Sequence, residues 1–291
     1  LLPAFQLNAN YAYFAFSAST RDAYQKTVSL RFGEAHASLD AMKRLEPDNL
    51  MAPFVENYLD FLTVFVNDNK SEYQRLAKNM EARLERIAAG PSNSPWYLYT
   101  QAEIRLQWAL TRSRYNDFLT SMSDIKQAYA LLEENQRKYP DFMANKKSLG
   151  IMHAMIGNVP EEYRWAVKAL GGMSGSMEQG LRELEESLAY AKKNDFIFED
   201  EAVVAYALLQ LYLNNQGDLA WKTLKNSKLT PKTNPMAASC LTNCVRLSSS
   251  TRLTVSRPTA AAPSSSQGDC KSCTTKKAST NATMIRPVIS I

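Results

Sequence analysis

The feature that most narrows what this chain can fold into is its hydrophobic period. Tyr115, Phe118, Leu119, Met122, Ile125, Tyr129 and Leu132 recur at three- and four-residue steps. Such steps put side chains on one face of an α-helix. Met177, Leu181, Leu184, Leu188 and Ala191 repeat the pattern, as do Ala202, Tyr206, Leu209 and Leu213. Residues 50–66 are apolar on nearly every side, with Phe54, Tyr58, Leu62 and Val66 on one face and Val55 and Leu59 on its flank. A helix of that kind packs on two neighbours at once. There is no sustained two-residue alternation and no Asn-Gly or Asp-Gly hairpin turn, so strand signals are all but missing. The fold class predicted is all-α.

The period predicts helices over 18–31, 33–45, 50–66, 70–88, 95–113, 115–138, 142–156, 160–170, 176–193, 199–215 and 217–227. The punctuation between them agrees. Pro47-Asp48-Asn49 separates two helices, and Ser94-Pro95 supplies an N-cap followed by proline at the first helical position. Tyr139-Pro140-Asp141 ends one helix and Asn158-Val159-Pro160-Glu161 opens another. Most gaps are short, as antiparallel helix pairs require.

Charge divides the chain in two. Residues 239–291 carry seven Lys/Arg and one acid, Asp269, a net +6, whereas residues 1–238 carry 27 Lys/Arg and 28 Asp/Glu, a net −1. The basic balance is therefore a property of the tail, and the body gives no support for a nucleic-acid partner. The tail also holds 19 Ser/Thr in 53 residues, no Phe, Trp or Tyr, and all four cysteines. Without aromatic side chains it cannot bury enough apolar surface to offset its ordering entropy, which predicts disorder. An out-of-frame reading that begins near Ala238 accounts for the same abrupt change in composition. The domains expected are 1–17, a remnant of a secretory signal or a lead-in; 18–238, a helical body; and 239–291, a low-complexity tail. The apolar start ending at Ala9 favours export. No run of apolar residues is long enough to span a membrane.

Chemical motifs are sparse. His36 and His153 are the only histidines, with no metal-ligand spacing, and His153, on the turn after Leu149-Gly150, reads as a packed helix residue; no Gly-x-Ser-x-Gly elbow or phosphate-binding Gly-Lys-Ser/Thr is present. Cys240, Cys244, Cys270 and Cys273 have the spacing of a four-thiolate zinc site, but lie in a segment lacking an aromatic core. Gly171-Gly172-Met173-Ser174-Gly175 reads as a turn, with Ser176 as the cap of the next helix. Glu183, Glu185 and Glu186, like Glu199, Asp200 and Glu201, read as charge on solvated helix faces and first turns. Neither a catalytic set nor a cofactor site is expected.

Ala37 through Asn49, with its small residues and Pro-Asp turn, resembles the end of a tetratricopeptide repeat, as does Ala128 through Asp141. Leu149-Gly150, Gly157, Ala166 and Ala169 match that family's spacing of small residues. The resemblance covers roughly residues 18–238 and is to the exported bacterial type. It implies a right-handed α-solenoid of antiparallel helix pairs, with a concave groove for a protein or peptide. On that register the groove-facing residues are Tyr97, Gln101, Arg105 and Lys147. The function expected is a non-enzymatic scaffold in the bacterial cell envelope, without metal or cofactor. The alternative is a helical-repeat enzyme or carbohydrate-binding protein with its site near the aromatic-rich stretch Trp96–Trp108.

Overall fold

The computed structural model describes residues 11–159 and 171–229, with single positions between 161 and 167 and between 234 and 242. The helix expected over 160–170 and the cysteine-containing tail lie outside, or almost wholly outside, the described residues. So does the apolar start through Ala9.

The described chain is helical. In order come α1 (Ala18–Val28), α2 (Phe32–Leu45), α3 (Met51–Asn67), α4 (Lys70–Leu76), α5 (Asn79–Ala88), α6 (Pro95–Arg114) and α7 (Phe118–Lys138). There follow α8 (Met143–Gly157), α9 (Met177–Ala191), α10 (Glu199–Leu208) and α11 (Gly217–Lys225). Among the described residues the only β-type pairing is an isolated bridge between Tyr13 and Asn49. The expected caps form: Ser94 accepts from the amide of Trp96 ahead of Pro95, and Ser176 accepts from that of Gln179.

Two helices expected to be continuous are interrupted. The one read over 70–88 breaks at Ala77 and Lys78, whose ψ angles of −25° and −19° belong to a tighter 3₁₀-like turn. The one read over 199–215 passes from α10 into a π-helical turn, Leu209–Leu213.

Successive helices pair as antiparallel hairpins. In α6–α7, Asn135 near the end of α7 donates to Pro95 O at 2.8 Å, and Ser121 near its start donates to Ala109 O at 2.8 Å. In α1–α2, Glu46 beyond the end of α2 accepts from Ser17 and Ser19 at the start of α1. In α8–α9, Gly157 lies against Ser176 and Met177, and Lys146 pairs with Glu186 at the other end. The remaining pairs are α3 with α5 and α10 with α11.

Helix α3 is the central post, touching α1, α2, α5 and α6. Its Met51, Ala52, Phe54, Val55, Leu59 and Val64 are essentially inaccessible to water. Burying side chains of this size stabilises by about 1.5–3 kcal/mol for each large one. Its polar residues are satisfied inside. Asn57 accepts from Trp108 Nε1 at 2.7 Å and donates to Gln107 at 2.7 Å, while Asp60 takes Arg83 at 2.6 Å and Asn79 at 3.0 Å.

The core is closed by the segment just before α10. Phe198 is fully buried, with its ring centroid between 5.6 and 6.5 Å from those of Phe16, Tyr24, Phe54, Trp96 and Tyr99. Arg21 of α1 pairs with Asp195 at 3.1 Å on the same seam. The fifth hairpin is thereby brought against the first.

Candidate functional site

Behind Phe198, one helix from each of the five hairpins sends a polar side chain to a common point: Tyr24 from α1, Tyr58 from α3, Glu103 from α6, Lys147 from α8 and Glu201 from α10. The Lys147 ammonium lies 3.0 Å from Glu201 Oε2 and 3.4 Å from Glu103 Oε2. Tyr58 donates to Glu201 Oε2 at 2.5 Å, and Tyr24 donates to Glu201 Oε1. Ser148 donates to Glu103 Oε1. The ammonium also sits over the rings of Phe198, at 4.8 Å, and Tyr99, at 5.8 Å, a cation–π arrangement in a desolvated place.

These groups are held away from water. The Lys147 side chain is 2% exposed and that of Glu103 is 7%, while Glu201 keeps 18%. Burial disfavours every charged form. It pushes the Glu201 carboxyl up to about 8. It pulls Lys147 below the ordinary lysine value, with Glu103 pulling the other way. Tyr58 and Tyr99 are driven well above 10, first by burial and then by the charge of Glu103. The Tyr99 hydroxyl is buried without a hydrogen bond that meets ordinary geometry; the neighbouring Ser148 tempers its rise but is committed to Glu103.

The expected groove residues do not assemble into one surface. Tyr97, Gln101 and Arg105 form a stripe on α6, half-buried. Tyr97 OH donates to Ala88 O at 3.3 Å, Gln101 to Tyr97 O at 2.8 Å, and Arg105 pairs with Asp124 of α7 at 3.5 Å. At ~100° per residue this stripe lies about 200° around α6 from Tyr99 and Glu103, and so faces α5 and α7. Lys147 is on the opposite, inner side and is buried. Trp96 and Trp108 are core: Trp108 is fully buried, and Trp96 packs edge-on against Phe142 at 4.8 Å and Phe16 at 5.1 Å.

His153 is a packed helix residue, as expected, in a second polar set. Its Nδ1 donates to Glu183 at 2.6 Å, and its Nε2 lies 3.4 Å from the Tyr129 hydroxyl, which donates to Ser174 O at 3.1 Å. Gln179 reaches Nδ1 at 3.0 Å and Glu183 at 3.2 Å. This set ties the turn before α9 to α7 and α8. Glu183 and Glu201, expected on solvated faces, are thus structural partners of buried groups, which corrects that expectation. Among the described residues no group of three or more His, Cys, Asp or Glu is placed to hold a metal ion.

Sequence reasoning did not single out Tyr24 or Glu103, and it read Tyr58 only as part of an apolar face and Glu201 only as solvated charge. The available signal was a charge inside an apolar stretch, as Glu103 stands between Ala102 and Ile104. Comparison with protein-family models, with characterised proteins and with solved structures finds no match to this chain. No described helix is long and apolar enough to cross a membrane.

Proposed function

We propose that the protein is a non-enzymatic helical-repeat scaffold, a tightly wound right-handed α-solenoid that holds a protein or peptide partner. The observation that carries this reading is that the titratable groups of the central cluster are bonded to one another across the five described hairpins. They are spent on fixing the hairpins together, which is what a scaffold requires of its interior. Exposed apolar side chains supply surface for a partner. Leu119 is 89% and Phe118 53% exposed at the start of α7. Val66 is exposed at the same end, next to Phe65, which Arg114 covers at 5.1 Å. The half-buried stripe of Tyr97, Gln101 and Arg105 is a second candidate surface. Residence in the bacterial cell envelope is part of the proposal and rests on the apolar lead that ends at Ala9.

The test is site-specific photo-crosslinking in cells, with a benzophenone side chain in turn at Tyr97, Gln101, Phe118 and Leu119. A discrete protein adduct at one surface, lost when the probe is moved to the other, is the expected result. Absence of a discrete adduct at all four positions, in variants whose helical circular dichroism is intact, overturns it.

A further inference from the structure

The polar set around His153 is one proton short when the imidazole is neutral. Nδ1 faces Glu183 Oε2 at 2.6 Å, a separation that requires a proton between them. The Gln179 amide nitrogen lies farther from Nδ1, at 3.0 Å, and has Glu183 Oε1 as its acceptor at 3.2 Å. Nδ1 therefore carries hydrogen in either charge state, and Nε2 is an acceptor in the neutral ring and a donor in the imidazolium. Opposite Nε2 at 3.4 Å stands the Tyr129 hydroxyl, whose own proton goes to Ser174 O at 3.1 Å. With the ring charged, Nε2 donates to Tyr129 and Tyr129 donates to Ser174, so every group is matched. With the ring neutral, one hydroxyl proton faces two acceptors.

We propose that His153, Tyr129 and Ser174 form a proton-dependent clasp: the charged imidazole fixes the turn 171–176 to α7 and α8, and the turn loosens when that proton leaves. Burial decides the direction. The His153 side chain is 4% exposed, whereas Ser174 is exposed. In the neutral state the buried Nε2 takes the Tyr129 proton, because an unmatched buried acceptor is costly, and the Ser174 carbonyl turns to water. The turn is built to move, with Gly171 and Gly172 at φ of 97° and 86°. It rests on the histidine itself, since a methyl on Gly175 would lie 2.6 Å from His153 Cα. Loosening frees Met173, which the closed turn buries.

The groups that face the clasp agree with this direction. From α9, Glu183 lies on Nδ1, and among the described residues His153 is the only basic group placed on it. From α7, burial and then the charge of Glu133 raise Tyr129 above its ordinary value, against the hydrogen bond to Ser174, so the phenol keeps its proton. Lys126 of the same helix reaches the turn rather than the ring, 3.2 Å from where a methyl on Gly171 would stand. From α10, Tyr206 is bonded to Glu185 at 2.6 Å. Closure that gains a bond only with the proton in place is complete at low pH and is lost as pH rises through the titration of the histidine. One hydrogen bond changes opening by about five- to tenfold in all.

Two measurements on the full chain between pH 5 and 8.5 test this. Long-range proton–nitrogen NMR of the two histidines gives the titration midpoint of His153, with the exposed His36 as internal reference. Hydrogen exchange of a peptide covering 171–176, corrected for the intrinsic pH dependence of amide exchange, gives the opening of the turn. Opening should rise with pH by about five- to tenfold in all, with the midpoint of His153. Tyr129→Phe keeps the His153–Glu183 pair but removes the hydroxyl relay, so the ring should still titrate while the pH dependence of the turn disappears. A flat exchange profile in the parent protein overturns the clasp, as does a midpoint that differs from that of His153. An unchanged profile in Tyr129→Phe overturns it as well. Should that variant not fold, the two midpoints in the parent decide: coincidence supports the clasp and separation overturns it.

Discussion

Gly150 and Gly180 face each other where α8 crosses α9, so closely that a methyl group on Gly150 would lie 2.8 Å from the Gly180 carbonyl oxygen. A methyl on Gly180 would meet the Gly150 carbonyl and lie 2.5 Å from the Ala154 amide nitrogen. Neither glycine has a positive φ. What they provide is the short distance between two backbones.

Gly180→Ala should therefore be destabilising despite alanine's better helix propensity. Overpacking of this kind costs about 1–3 kcal/mol. Gly33→Ala is the matched control, because a methyl there meets nothing within 4 Å in the first turn of α2. It should be neutral or stabilise by up to about 1 kcal/mol. Urea unfolding of both variants checks the pair, and equal effects would contradict the close crossing.

Phe198→Ala should be among the most damaging substitutions outside α3. The ring is fully buried in contact with aromatic residues of three other segments, and its loss leaves a cavity that rigid neighbouring rings cannot fill. A loss of about 3–5 kcal/mol is expected from denaturant unfolding. Phe118→Ala, exposed on the surface, should change stability by less than about 0.5 kcal/mol.

Lys147 and Arg105, expected to act together in a groove, should separate in a stability measurement. Lys147→Met leaves two carboxyls buried without their cation, and removing one partner of a buried pair costs about 3–5 kcal/mol. Arg105→Gln leaves Asp124 paired with Arg112 and should cost about 1 kcal/mol. Losses of similar size in the two variants would show that Lys147 is not enclosed.

Acid should act first at the N-terminal end. Burial alone would raise the Glu46 carboxyl, but hydrogen bonds from Ser17, Ser19, Asn49 and Tyr13 outweigh it and hold the group below 4.5. A carboxyl lowered in the folded state stabilises above its unfolded value, and that contribution is lost as pH falls through the folded value. Glu46→Gln should therefore lose stability at pH 6 yet show a shallower decline between pH 5 and 3. Ser19→Ala should move the acid-unfolding midpoint upward. Stability measured by urea titration at each pH reads both effects, and an unchanged acid limb in Glu46→Gln would exclude the group.

Among the described residues, the sequence by itself determined most of the helices, the caps at Ser94 and Ser176, and most of the helix ends. Period, N-caps and proline positions act within a few residues of themselves, so Ser94-Pro95 and Ser176 function without knowledge of the rest of the chain. Even the packed state of His153 was legible from its place after Leu149-Gly150. Only the tertiary structure decided which charges go inside. Glu199, Asp200 and Glu201 are equivalent as acids in the first turn of a helix, each suited to its positive end. Glu201 alone meets Tyr24 and Tyr58, 177 and 143 residues away, because the last hairpin closes onto the first two. The same closure turns Lys147 inward while the Tyr97–Arg105 stripe faces α5 and α7. A contact between residues so far apart leaves no local periodic trace, since neither partner's neighbours carry information about the other, and it exists only once the intervening helices have packed.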